Sequence, residues 1–313
     1  PSPEAHEGTF RGITGDLMNM LQSLNFLWNH PLNRHDRLGA ISRFLRWQIG
    51  SRLLPGPVVY PWIGGARVLV RRGETGMTGN LYAGLHEFAD MAYLLHVLRE
   101  GDFFVDVGAN VGSYTLLASV VCGARVTCFE PIPETFERLM DNVRLNRLEH
   151  LVQPRNEGVG AQSGRLRFIL DRNTMNRPVA RGEAVSHALE VPVTTLDSVL
   201  ADRVPEMLKI DVEGYETAVI EGARKTLADP RLHSVVMELA GAGSQYGFDE
   251  ARLLQQMREE GFQSCRYDPF CRKLTPYETR DPSDGNTLFV RDLVKVRGLL
   301  ESASAVVVHG RSI

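Results

Sequence analysis

Five acids and two glycines carry the chemistry legible in this chain. Asp106-Val107-Gly108-Ala109-Asn110-Val111-Gly112-Ser113 sets an acid two residues before a glycine and a second glycine four residues later. Phe103, Phe104, Val105 and Val107 make a short apolar run without helical period, which reads as a strand buried on both faces. The glycines let the backbone turn sharply and come close to a ligand. Ser113-Tyr114-Thr115-Leu116-Leu117-Ala118 then begins a helix. A dinucleotide-binding turn needs glycines at its first, third and sixth positions. Counted from Gly108, those positions are Gly108, Asn110 and Ser113, so that pattern is broken. An acid at this place repels a pyrophosphate and suits an ammonium or sulfonium ligand.

A second short strand, Arg125-Val126-Thr127-Cys128-Phe129-Glu130, also closes on an acid. In doubly wound sheets the acid ending the second strand takes the ribose hydroxyls. S-adenosylmethionine carries a sulfonium, an ammonium and a ribose but no phosphate, and it is the cofactor this pair of acids predicts.

Further along, Lys209-Ile210-Asp211-Val212-Glu213-Gly214 ends a fourth strand, and Glu238 lies near the end of a fifth. Ligands of open parallel sheets bind beyond the carboxyl ends of the strands. Asp106, Glu130, Asp211 and Glu238 should therefore share one crevice. Glu213 follows Asp211 by two, so an extended backbone keeps both on one side. Methyl transfer to a hydroxyl needs a group to take its proton, and a carboxylate in a partly dry site can do so. Asp211 and Glu238 are the candidates, with His187 next. Glu213 and Glu216 equally suit pairing with a helix N-terminus. Asp211 with Glu238 would also suit a divalent cation; two carboxylates alone are weak evidence, so no metal ligand is assigned and the need for a metal stays open.

The elements that must position these groups follow from the pattern. The first 55 residues read as helices, with Leu17, Met18, Leu21, Leu24, Phe26 and Leu27, then Leu38, Ile41, Leu45 and Ile49, at helical spacing. They are expected to form a lid on the main domain, with an exposed apolar face open to a homo-oligomer contact. Val58 to Val70 reads as strands around Gly64-Gly65, and Thr75 to Gly84 as a loop able to fold over a ligand at Gly108. Glu87 to Leu98 is a helix. Strands at 103–107, 125–130, 151–154, 166–170, 190–193, 207–212, 233–239, 262–267 and 286–291 are expected. Between them lie helices at 133–146, 215–227 and 249–260, a short helix opened by Thr195, and a long polar loop from Asp171 to His187.

Bulk properties agree. The 313 residues are 43% hydrophobic and 23% charged, with a net charge of -3, so no basic field invites nucleic acid. No apolar run is long enough to span a bilayer, and Pro1 to Glu7 has no leader pattern. The four cysteines form neither a Cys-x-x-Cys pair nor a disulfide framework, which suits a reduced, cytoplasmic protein.

Asp106 through Thr115, Phe129-Glu130-Pro131, Thr195-Leu196-Asp197, Lys209 through Glu216 and Ile220-Glu221-Gly222-Ala223 together closely resemble the FkbM family of methyltransferases, over about residues 80 to 291. The resemblance implies an α/β, Rossmann-like class I methyltransferase fold. Its mostly parallel, seven-stranded sheet would have an antiparallel last strand. Residues 1–75 lie outside the resemblance and are expected to be a helical N-terminal extension ahead of the methyltransferase domain (76–313). The resemblance also implies O-methylation of a sugar, polyketide or other small-molecule acceptor. From the net charge and the lack of a span, no nucleic-acid partner and no membrane partner are expected. Asp106, Gly108 and Gly112 would hold the methionine part of the cofactor, Glu130 the ribose, and Asp211 would lie beside the transferred methyl. The expected cofactor contacts are Glu87, Asp106, Gly108, Asn110, Gly112, Ser113, Glu130, Pro131, Glu157 and Asp211; the expected catalytic pair is Asp211 and Glu238. A nicotinamide oxidoreductase is the competing reading, disfavoured by the broken glycine pattern, and a non-catalytic cofactor-binding module is the third.

Overall fold

The computed structural model describes residues 20–54, 56–169, 177–180, 183, 188–278 and 285–313. The chain enters through helix α1 (20–29) and helix α2 (Arg37–Leu53), whose first turn is capped by the Asp36 carboxylate accepting from the Gly39 amide. The part of the helical preface before residue 20 lies outside the described residues. A hairpin of β1 (Val58–Pro61) and β2 (Arg67–Val70) follows, turning at Gly64 and Gly65.

Helix α3 (Thr75–Ala83) then stands where a loop was expected. Its glycines and polar residues are poor local evidence for a helix. Met77, Leu81, Tyr82 and Ala83 are nonetheless buried, and burial outweighs propensity. Gly79 is required there because a Cβ would come within 2.3 Å of His86 Nδ1. Helix α4 (Phe88–Val97) leads to β3 (Phe103–Val107). The chain continues through α5 (Ser113–Leu116), which runs on as a π turn over Leu117–Val121, then β4 (Arg125–Phe129), α6 (Pro133–Leu145) and β5 (Val152–Arg155).

Strands β6 (Gly158–Val159), β7 (Gly164–Ile169), β8 (Arg177–Pro178) and β9 (Ala188–Thr194) leave the main sheet and make a small sheet of their own, in the order β6-β9-β7-β8. Of the long loop expected over 171–187, the described part is this short strand with its neighbours. After α7 (Leu196–Leu200) and β10 (Met207–Ile210), the helix expected over 215–227 divides into α8 (Glu216–Glu221) and α9 (Arg224–Ala228). The break has two causes. A Cβ at Gly222 would meet the Gly160 carbonyl oxygen at 2.1 Å, so the backbones touch there. Asp197 then caps α9 afresh, its carboxylate accepting from the amides of Lys225 and Thr226 at 2.9 Å each.

Strand β11 (Ser234–Glu238), helix α10 (Glu250–Glu259, capped by Asp249), β12 (Gln263–Asp268), β13 (Lys273–Pro276), β14 (Asn286–Val290) and helix α11 (Leu293–Glu301) complete the large sheet and its cover. The order is β13-β12-β14-β11-β10-β3-β4-β5. Strands β5, β4, β3, β10 and β11 run parallel; β14 lies antiparallel between β11 and β12. This is the mostly parallel, Rossmann-like sheet that the sequence led one to expect, with its antiparallel last strand. An eighth strand, β13, adds to it by pairing antiparallel with β12. Neither β13 nor α11 was expected. The sheet separates two apolar cores. One, containing Phe104, Cys128, Met207 and Val236, also takes in Leu27, Phe44 and Trp47 of the preface. The other contains Val105, Val107, Leu208 and Ile210. The four cysteines are unpaired.

Candidate active site

The turn leaving β3 is built around backbone contacts. Gly108 has φ 81°, and its amide and that of Ala109 donate to the Phe129 carbonyl at 3.0 and 2.9 Å. A Cβ at Gly108 would lie 1.8 Å from the Asp211 carbonyl oxygen. At Gly112, with φ 95°, it would meet Leu139 Cδ1 at 2.6 Å. The space a side chain would need is thus filled by the protein itself, a second reason for the glycines beside the expected close approach to a ligand. They let the ends of β3 and β10 and helix α6 close on one another.

Glu130 holds that turn. Its carboxylate accepts from the Asn110 amide at 3.1 Å and the Ile132 amide at 3.0 Å, and Asn110 takes a left-handed φ of 51°. Burial pushes the Glu130 carboxyl up to about 7 despite those two donors. Asp106 is buried too and accepts from Thr115 Oγ1 at 2.7 Å; burial pushes it up to about 6.

Asp106 and Lys209 are register partners on adjacent strands, so their side chains share a face of the sheet. Lys209 is 1% exposed. Its ammonium donates to Asp211 Oδ2 at 3.1 Å and Asn286 Oδ1 at 3.2 Å, and it sits 5.2 Å from the centre of the Tyr114 ring. Asn286 in turn donates to Asp90 Oδ2 at 3.1 Å, and the Tyr114 hydroxyl donates to Glu87. Burial alone would lower the Lys209 pKa; the carboxylates of Asp211, Glu87 and Asp90 outweigh it and hold it above its ordinary value.

Across from this cation, Asp211, Glu213 and Glu238 bring carboxylate oxygens within 4.8 Å of one another. Strand alternation does not align Glu213: its φ is 55°, so it lies in a left-handed turn beyond β10. Glu216 turns back, accepting from the Val212 and Gly214 amides at 3.2 and 3.1 Å, which is the helix-terminus role. Glu238 is pushed up to about 9, by burial first and then by Asp211 and Glu213 beside it.

One cavity of about 600 Å³ collects these groups. Glu87, Asp106, Gly108, Asn110, Ser113, Glu130, Pro131, Glu157, Asp211 and Glu238 all line it, whereas Gly112 does not. His187 lies outside the described residues. The cavity is also lined by residues to which the sequence assigned no part in the site: Gln22, Ser23 and Phe26 of α1, His86, and Leu166, Phe168 and Val193 of the small sheet. Asn80 of α3 donates to Ser113 Oγ at 3.1 Å, so the segment expected to fold over Gly108 does reach the cavity, as a helix. Lys209 was also passed over. A lysine inside Met207-Leu208-Lys209-Ile210 was the available signal, because a charge in a doubly buried strand needs a partner.

Residues 106–264, just over half of the chain, match the methyltransferase FkbM domain. The chain belongs to the FkbM methyltransferase family. Over 178 residues it is 28% identical to the hexuronic acid methyltransferase AglP of Haloferax volcanii, covering 53% of this chain and 66% of that protein. Over 214 residues it is 30% identical to the 31-O-demethyl-FK506 methyltransferase FkbM of Streptomyces tacrolimicus, covering 56% of this chain and 78% of that one. A solved methyltransferase FkbM from Methylobacillus flagellatus is similar over 80% of this chain and 59% of its own, at 18% identity and a TM-score of 0.41. The chain thus spans slightly less than two thirds of the Haloferax relative. Membership of this family implies S-adenosylmethionine as methyl donor. The cavity fits it in chemistry: its lining offers the carboxylates of Asp106, Glu130 and Asp211 and the backbone of the glycine turn, acceptors of the kind a cationic group and a ribose need.

Proposed function

We propose that this protein is an S-adenosylmethionine-dependent O-methyltransferase acting on a hydroxyl of a small molecule such as a sugar, a polyketide or another secondary metabolite. The observation that carries this reading is the convergence of Asp106, Glu130, Asp211 and Glu238, with the buried Lys209, on one cavity beside the glycine turn. Asp106, Gly108, Asn110 and Ser113 would hold the methionine part of the donor. Glu130 and Pro131 would hold the ribose, and Glu87 and Glu157 would complete the contacts. When bound, S-adenosylmethionine supplies an activated methyl group.

The chain must supply position, dryness and a proton acceptor. Lys209 fixes the Asp211 carboxylate from behind, and Asp211 would take the proton of the acceptor hydroxyl. Burial, then the neighbouring Asp211 and Glu213, raise the Glu238 carboxyl well above its ordinary value, so Glu238 would serve as a hydrogen-bond donor rather than a base. Of the two acids expected to act as base, the environment therefore favours Asp211. Phe26 of α1 with Leu166, Phe168 and Val193 of the small sheet would exclude water, and Gln22 and Ser23 would help shape the acceptor end, with residues 76–313 carrying the reaction.

Calorimetric titration with S-adenosylmethionine and, separately, NAD tests the donor; binding of NAD alone would overturn the reading. Asp211→Asn should lower turnover by roughly 10²–10⁴-fold, the range for a positioned general base, with donor affinity little changed. Turnover would be followed as S-adenosylhomocysteine release and a one-methyl mass gain on the acceptor. Unimpaired turnover would remove Asp211 from the role.

A further inference from the structure

Helix α2 carries an exposed apolar stripe that neither the fold nor the cavity uses. Leu38 is 80% exposed, Leu45 48%, Ile49 59% and Leu53 74%. Their spacing of seven, four and four residues sets them on one side of the helix. The other side, with Ala40, Phe44 and Trp47, is buried against the protein. Arg37, Arg46 and Arg52 are also exposed, and by helical geometry they flank the stripe on both sides. Next to it Trp28 of α1 is 48% exposed, with the Arg37 guanidinium 4.6 Å from its ring. Residues 20–54 hold five arginines and a single acid, Asp36, in a chain whose net charge is -3.

We propose that this face of α1 and α2 docks on an anionic lipid surface. Aliphatic side chains flanked by arginines, with a tryptophan at the edge, are what an interfacial helix offers to acyl chains and phosphate headgroups. A second copy of the chain fits less well. A two-fold pairing of α2 would set arginine against arginine, with no acid on the helix to answer them. Nucleic acid would use the arginines but leave four aliphatic side chains in water. The contact is peripheral: among the described residues no helix is long and apolar enough to cross a membrane. The expectation of no membrane partner rested on that lack of a span, and a surface helix does not need one.

The docking face backs directly onto the cavity wall. On the buried side of α2, Arg43 donates to the Tyr82 carbonyl at 3.0 Å and Gln48 to the Tyr82 hydroxyl at 3.2 Å. Tyr82 lines the cavity. Docking would therefore hold the cavity near the water–lipid boundary, whatever reaction it performs.

Co-sedimentation of the full chain with phosphatidylcholine vesicles, with and without phosphatidylglycerol, tests the proposal. Binding to the anionic vesicles is expected, weakening as salt rises. Leu45→Glu with Ile49→Glu should reduce it roughly tenfold or more, and Arg46→Gln with Arg52→Gln should reduce it and flatten its salt dependence. All four positions are at least partly exposed, and circular dichroism would verify that each variant folds. Equal failure to bind both vesicle types would overturn the proposal, as would full binding by the Leu45→Glu, Ile49→Glu variant. So would a dimer in light scattering that this variant splits without any vesicle binding by the wild type.

Discussion

Glu238 and Lys209 show how strongly single side chains here depend on their surroundings. Glu238 binds its proton up to about pH 9 in the folded chain, against an ordinary 4.5. Between those values the native state holds a proton that the unfolded chain has released. The group's contribution to stability is therefore complete below about 4.5 and is lost as pH rises through about 9. Glu238→Gln keeps the shape of the neutral acid and removes the titration. Its melting temperature should exceed the wild type's at pH 9, by a margin that shrinks at pH 6; thermal scans at both values measure this, and parallel curves would contradict the shifted acid. Lys209→Met poses the opposite case. It removes the ammonium that Asp211 and Asn286 accept from, and should cost about 2 kcal/mol in urea unfolding, less than loss of one partner from a fully buried pair because the Asp211 side chain is partly exposed.

Elements meet at the glycine turn, and the two glycines carry unequal weight. At Gly108 the obstacle to a Cβ is a backbone carbonyl at the end of β10; at Gly112 it is the tip of the flexible Leu139 side chain. Both need a left-handed backbone. Gly108→Ala should therefore cost more than about 3 kcal/mol and disrupt donor binding, while Gly112→Ala should cost about 1–2. Paired thermal denaturation curves would distinguish them, and equal losses would mean that backbone conformation alone governs the turn. The same scale explains where local pattern reading went astray. Helix α3 looks like a loop because the partner that covers part of its buried face, Phe44 of α2, is far from it in sequence. Helices α8 and α9 look like one helix because the Gly160 carbonyl that splits them comes from another element.

For the whole molecule, the consequential fact is that the helical preface shares a core with one face of the sheet. All three tryptophans, Trp28, Trp47 and Trp62, lie in the first 62 residues, so their fluorescence reports on the preface and the hairpin. Far-ultraviolet circular dichroism reports on the whole fold. Urea curves followed by the two signals should coincide, with one midpoint, because the shared core couples the parts. A fluorescence transition at clearly lower urea would mean that the preface is a detachable lid.

The succession of strands, the acids at their ends and the broken dinucleotide pattern were all legible in the residues. Each is written within a dozen neighbouring positions, and short-range periodicity and turn chemistry read such windows well. What only the tertiary structure decided depends on residues far apart coming together. Lys209 finds Asn286 across 77 positions, and Asn286 finds Asp90 across 196. Which carboxylate keeps its proton depends on Glu238 meeting Asp211 in a site sparingly reached by water. Solvation and Coulomb interaction fall with distance in space, not along the chain, so no local window could have held them.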